Sequence, residues 1–163
     1  MHYSVPGFLA SGIAAGIKKE PARDLALLTS EKPATTVGLF TTNQIQAAPV
    51  TLTKDKLQQG KAQALIVNSG NANACTGASG LRDAEQLCQT VSHELTLDEE
   101  LVMVSSTGII GVPLPMDTIR LPAIFSSRVA VVHIVLPSYA DLLKKKRLAR
   151  MYRFPTGHSF PRR

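Results

Sequence analysis

The chain has 163 residues, 44% of them hydrophobic and 18% charged, enough apolar matter for one cored domain and little room for a second. Its longest apolar runs fall short of the roughly 18 residues a membrane helix needs, and Cys75 and Cys88 form neither a disulfide framework nor, with the histidines, a zinc pattern. The net charge of +6 is unevenly placed: Met1 to Ser127 carries nine basic against eleven acidic residues, net −2, whereas the 36 residues from Arg128 onward carry nine basic residues and only Asp141, net +8.

The apolar stretch Val5 to Ile17 has no Lys or Arg before it, contains Pro6 and the glycines Gly7, Gly12 and Gly16, and is followed by Lys18 and Lys19. That is the wrong charge order for a secretory signal, so a reducing cytoplasm is the expected setting. Asp24–Thr29, Thr35–Thr42 and Pro49–Thr53 are short, rich in Val, Thr and Leu, and punctuated by Pro, Gly or Asn, which predicts strands. Ala64–Val67 predicts a further strand running into a polar loop, Asn68 to Gly77. Leu81, Ala84, Leu87, Cys88, Val91 and Leu95 recur at steps of three and four, predicting a helix of about four turns whose apolar face lies on the sheet.

Leu101–Val104 predicts another buried strand with Ser105-Ser-Thr-Gly108 at its end, and Asp117 reads as the cap of a helix from Thr118. In the tail, Val129–Leu136 reads as a strand, Ser138–Tyr152 as a basic helix, and the last eleven residues, with two prolines and three arginines, as unstructured. Strands interleaved with helices predict an α/β or α+β layered domain.

Four features carry candidate chemistry. The loop Asn68-Ser-Gly-Asn-Ala-Asn-Ala-Cys-Thr-Gly77 has the small polar residues that aim backbone N–H groups at a phosphate, but no Lys follows Gly77 and no nucleotide-binding glycine pattern is present. A structural loop is the commoner meaning. Cys75 with His93 as base has the residue types of a thiol enzyme, against the commoner case of a locally packed thiol and a helix-terminal His. Ser105-Ser-Thr-Gly-Ile-Ile-Gly111 places a hydroxyl and a glycine N–H side by side, the donor types of an oxyanion hole, although Ser-Thr-Gly at a strand end is usually a turn. The basic tail suits nucleic acid or an anionic surface, against a solvated charged face. No aromatic RNA-binding pattern or zinc finger accompanies it.

Val5-Pro-Gly-Phe-Leu-Ala10, Gly12-Ile-Ala-Ala-Gly-Ile-Lys18, Asp24-Leu-Ala-Leu27, Gly38-Leu-Phe-Thr-Thr-Asn43, Ala47-Ala-Pro-Val50, Asn68 to Gly77 and Ser106-Thr-Gly-Ile-Ile-Gly-Val-Pro-Leu-Pro-Met116 follow in this order. Together they resemble the N-terminal, α-chain part of the ArgJ family, the glutamate N-acetyltransferase and ornithine acetyltransferase of arginine biosynthesis. The resemblance covers roughly Ser4 to Ile119 and implies an ArgJ/DmpA-like fold of the N-terminal-nucleophile acyltransferase type, here incomplete.

It implies a cytoplasmic enzyme that moves acetyl from N-acetylornithine to glutamate, some members also using acetyl-CoA, with no metal or other cofactor. The family precursor cuts itself at an Ala-Thr bond, and the freed Thr of the β chain is the nucleophile in an α2β2 assembly. By motif, Thr107 and Gly108 fall on the pair that stabilises the oxyanion. After Thr107 the only threonines are Thr118 and Thr156, neither following alanine, and Ala34-Thr35 lies far from the family's cut site. The nucleophile is therefore expected outside this chain, which is expected to be inactive alone. Residues 1–121 then form the ArgJ-like domain and 122–163 a divergent basic tail. The jump in charge favours a reading-frame shift near Ser126 over a simple truncation or a true divergent end. The alternative is a non-enzymatic binding module that uses the tail on nucleic acid or acidic partners.

Overall fold

The computed structural model describes residues 5–20, 22–119 and 124–125, all within one unit, Ser4–Val132. The predicted tail elements and the basic cluster lie outside these residues.

Four strands form one mixed sheet in the order β1 (Phe8–Ile13), β2 (Leu25–Thr35), β3 (Lys61–Asn71), β4 (Val102–Ile109). β1 to β3 pair antiparallel, while β3 and β4 run parallel, a pairing that needs a long crossover. Helix α2 (Gly77–Leu95) supplies it, and the mixed α/β architecture expected from the sequence is borne out.

The core follows from the two periodicities. Leu27, Ile66 and Val104 are register partners across three strands and share one sheet face with Leu25, Ala64 and Val102. All six are buried, against Ala84, Leu87, Cys88 and Val91 on one stripe of α2. Burial pushes the Cys88 thiol up to about 11, leaving it un-ionised at neutral pH. The opposite sheet face, with Leu28, Leu65 and Met103, lines an apolar cleft of about 290 Å³ over which Gly38 and Phe40 pass.

Several expectations need correction. Pro49–Thr53 is no strand; it lies in helix α1 (Ala48–Lys56), where extended Ala47 precedes a proline in the first turn. The locked φ of proline suits that position, and the β-branched residues that suggested a strand are tolerated because Thr53 is used elsewhere. Thr35–Thr42 is not a separate strand either. β2 ends at Thr35, and Val37 and Leu39 stand exposed beyond it. β1 emerges from the Val5–Ile17 stretch, whose small residues hide the alternation. Ser105–Gly108 belongs to β4 itself, and Asn68–Asn71 to β3. Asp117 sits inside a turn closed by Ile119 N–H on the carbonyls of Pro115 and Met116; of the helix expected from Thr118, Ile124 and Phe125 are helical.

A candidate acyl-transfer site at the end of the parallel pair

The candidate pair Thr107-Gly108 lies where β4 leaves the sheet, and both residues are exposed. β4 is an edge strand, so every second residue turns its N–H away from β3. Two contacts fix which ones. Thr53 Oγ1 donates to Val104 O at 2.7 Å and accepts from Val104 N–H at 3.1 Å, so Val104 faces outward. Ala72 N–H donates to Ile109 O at 2.9 Å, so Ile109 faces β3. Alternation from Val104 carries the outward set to Ser106; at Gly108 the strand leaves the regular ladder, with Asn71 pairing both Thr107 and Ile109.

Glycine at 108 is forced twice over. Its φ is +138°, and a Cβ there would overlap the carbonyl group of Gly70 and the N of Asn71, since β3 passes directly behind. Gly70, its register partner, has φ +107°. The two glycines bring the ends of β3 and β4 together without side chains, at the carboxyl end of the parallel pair where α/β folds commonly place ligands.

The Asn-rich loop serves structure. Asn68, Asn71 and Asn73 are all buried. Asn68 Nδ2 donates to Asn71 O, Asn71 Nδ2 to the carbonyls of Val112 and Pro113, and Asn73 Nδ2 to Gly80 O. Asn71 Oδ1 accepts from Asn73 N–H, and Ala72 N–H is used on Ile109, so these amides hold the fold and present no phosphate cradle. Gly80 is required because a Cβ would overlap Asn73 Oδ1 and Thr76 Oγ1. The loop thus anchors the turn after β4 and, with it, Thr107 and Gly108.

Cys75 and His93 do not meet. Cys75 lies two residues before α2 and His93 in its last turn, with a helical rise of about 24 Å between Gly77 and His93 alone. His93 is solvent-exposed in the last turn, 4.0 Å from Glu94. Among the described residues no group of three metal-ligating side chains occurs, and no helix is long and apolar enough to cross a membrane.

Sequence reasoning missed Asp24. It is buried, and its carboxylate accepts from Ala15 N–H at 2.6 Å and from Ile17 and Lys18 N–H at 2.8 Å each. Its backbone joins the same junction: its N–H donates to Ile13 O and its C=O accepts from Ser69 N–H. Burial alone would raise its pKa, but the three N–H donors and the Lys18 charge outweigh it and hold the carboxyl below the usual range. The only sequence signal was a lone acid at the head of an apolar strand. Beside this loop, Ile17, Lys18, Lys19, Gly70, Gly108 and Val112 are among the residues lining a cleft of about 710 Å³.

Three segments distant in sequence therefore converge on Gly108: the Gly12–Lys18 loop, the Asn68–Gly77 stretch and the Ser106–Met116 stretch. A model of the ArgJ family matches residues 9–132. The chain belongs to the ArgJ family.

It is 52% identical over 113 residues to the arginine biosynthesis bifunctional protein ArgJ of Caldanaerobacter subterraneus, covering 69% of this chain and 28% of that relative. It is 54% identical over 115 residues to the ArgJ of Bacillus cereus, again 70% against 28%. The chain thus spans less than a third of the length of these relatives.

Among solved structures, ornithine acetyltransferase of Mycobacterium tuberculosis, complexed with ornithine, superposes with a TM-score of 0.74 at 41% identity, covering 77% of this chain and 69% of that one. ArgJ of Bacillus halodurans gives 0.68 at 43%, covering 71% and 62%. The fold expected from the resemblance, of the N-terminal-nucleophile acyltransferase type, is borne out.

Proposed function

We propose that this chain supplies the oxyanion-stabilising half of an acetyltransferase that carries acetyl from N-acetylornithine to glutamate. The observation that carries the reading is the exposed Thr107-Gly108 pair at the end of edge strand β4, next to the cleft that Gly108 lines. A nucleophilic Thr at the start of an ArgJ β chain attacks the acetyl carbonyl, its own terminal amine taking the hydroxyl proton. The carbonyl π electrons move onto oxygen, and the Thr107 hydroxyl and Gly108 N–H donate to that oxyanion. Collapse of the tetrahedral species breaks the C–N bond, and ornithine leaves with the proton. Glutamate's amine then attacks the acetyl-Thr ester through a second tetrahedral species held by the same two donors; its collapse breaks the ester C–O bond, the amine's proton returns to the Thr oxygen, and N-acetylglutamate leaves.

In this reading the nucleophile comes from outside the 163 residues, the chain is inactive alone, and it works in an α2β2 assembly in the cytoplasm, with acetyl-CoA as a second donor. The function resides in residues 1–121, and the basic residues from Arg128 onward take no part in the chemistry. The ornithine-bound neighbour and the roughly 50% identity to ArgJ relatives support it.

Thr107→Val tests it, because valine keeps the β-branched shape and removes the hydroxyl. With a β chain supplied, kcat is expected to fall about 100- to 1,000-fold with a stable fold. A variant that turns over at the parent rate would exclude Thr107 from the oxyanion hole.

A further inference from the structure

Two buried polar atoms next to the Thr107-Gly108 pair stand outside the hydrogen bonds of the Asn-rich loop. Asn68 is 1% exposed and Ser106 is half-buried. Asn68 Oδ1 and Ser106 Oγ are both shielded from solvent, and neither has a hydrogen-bond partner among the described residues. Folded chains rarely keep a buried donor or acceptor unpaired, and here one of each occurs side by side.

Asn68 and Ser106 are register partners in the parallel β3–β4 pair. They lie two residues beyond Ile66 and Val104, so both side chains stand on the sheet face that α2 covers. Adjacent strands are about 4.8 Å apart, a gap that a hydroxyl and an amide oxygen bridge directly or through one water. Their chemistry is complementary. Asn68 Nδ2 donates to Asn71 O at 2.7 Å, which fixes the amide's orientation and leaves Oδ1 as the acceptor, while the Ser106 hydroxyl has a hydrogen to give.

Both ends of such a link act on the candidate pair. Ser106 directly precedes Thr107. Asn68 holds the main chain of Asn71, which pairs with Thr107 and Ile109 and whose N, with the Gly70 carbonyl group, fills the space behind Gly108. We infer that the Ser106 hydroxyl donates to Asn68 Oδ1 across the β3–β4 seam, directly or through one water, and that Ser106 and Asn68 are positioning residues that aim the Thr107 hydroxyl and the Gly108 N–H. The inference rests on the acyl-transfer reading and adds residues that serve its donors without touching substrate.

The test has a structural and a kinetic arm, both on the full 163-residue chain. A crystal structure should place the two oxygens about 2.7 Å apart, or about 5 Å apart with a water between them. A gap beyond about 6 Å, or a separate partner for each oxygen, would overturn the link. In the mixture with an ArgJ β chain, Ser106→Ala, which deletes one buried oxygen, should lower kcat about 10- to 100-fold with KM for N-acetylornithine unchanged. In a Thr107→Val background the same change should cost less than about 2-fold, because groups that act as a unit are not additive. Parent-level turnover of Ser106→Ala, or an equal cost in both backgrounds, would remove the positioning role while leaving acyl transfer intact. A parent mixture that never transfers acetyl would instead remove the acyl-transfer reading and the positioning role together, and the link itself would stand or fall on the crystal structure.

Discussion

Asp24 ties three backbone amides of the Ala15–Lys18 loop to the head of β2, and its depressed pKa makes that tie dependent on pH. A carboxyl whose folded pKa lies below its unfolded value near 3.8 adds stability above that pH and loses it as pH falls through the folded pKa. The urea midpoint should therefore drop below about pH 4, and Asp24→Asn should flatten this part of the profile while lowering stability at pH 7. A variant as stable as the parent, with an unchanged acid profile, would show that the loop is held by other means. At this scale the sequence was informative about glycine and threonine and silent about aspartate. Thr107 and Gly108 stood out through motif order. The role of Asp24 depends on a loop folding back six to nine residues, which no local spacing announces.

Among the elements, α1 shows why β-branched composition misleads. Pro-Val-Thr-Leu-Thr reads as strand, but proline in the first turn and the demand of β4 for an edge partner make it a helix. Thr53 satisfies both the N–H and the C=O of Val104, blunting an edge that would otherwise offer its backbone to another chain. Thr53→Val, which removes only the hydroxyl, should cost about 1–3 kcal/mol in the denaturation midpoint and speed hydrogen exchange at the Val104 amide. Unchanged exchange would mean that this edge is protected in another way. By contrast α2 was legible throughout, because its apolar stripe is long and its period unambiguous, although its start at Gly77 is set by the left-handed residues Asn73 and Cys75. β1 was hidden, since alternation needs large side chains on one face to be visible.

Across the whole molecule, the family motifs separate into two physical jobs. Asn68, Asn71 and Asn73 tie the chain together through side-chain hydrogen bonds to backbone carbonyls, while Lys18, Gly70 and Gly108 border the open cleft, with Asn71 at its wall. Sequence order alone ranked these segments equally; only the convergence of β3 and β4 distinguishes support from chemistry. Ile109, Ile110 and Val112 are 47–64% exposed next to the cleft, an apolar rim of the kind that marks an interaction site and that suits the β-chain partner proposed above. The most direct measurement is acetyl transfer from N-acetylornithine to glutamate by the purified chain, alone and mixed with a separately expressed ArgJ β chain beginning at its nucleophilic Thr. The account predicts turnover in the mixture only, reduced at least 100-fold by Thr107→Val. A folded, soluble chain that remains silent in the mixture, or a mixture indifferent to Thr107, would contradict it.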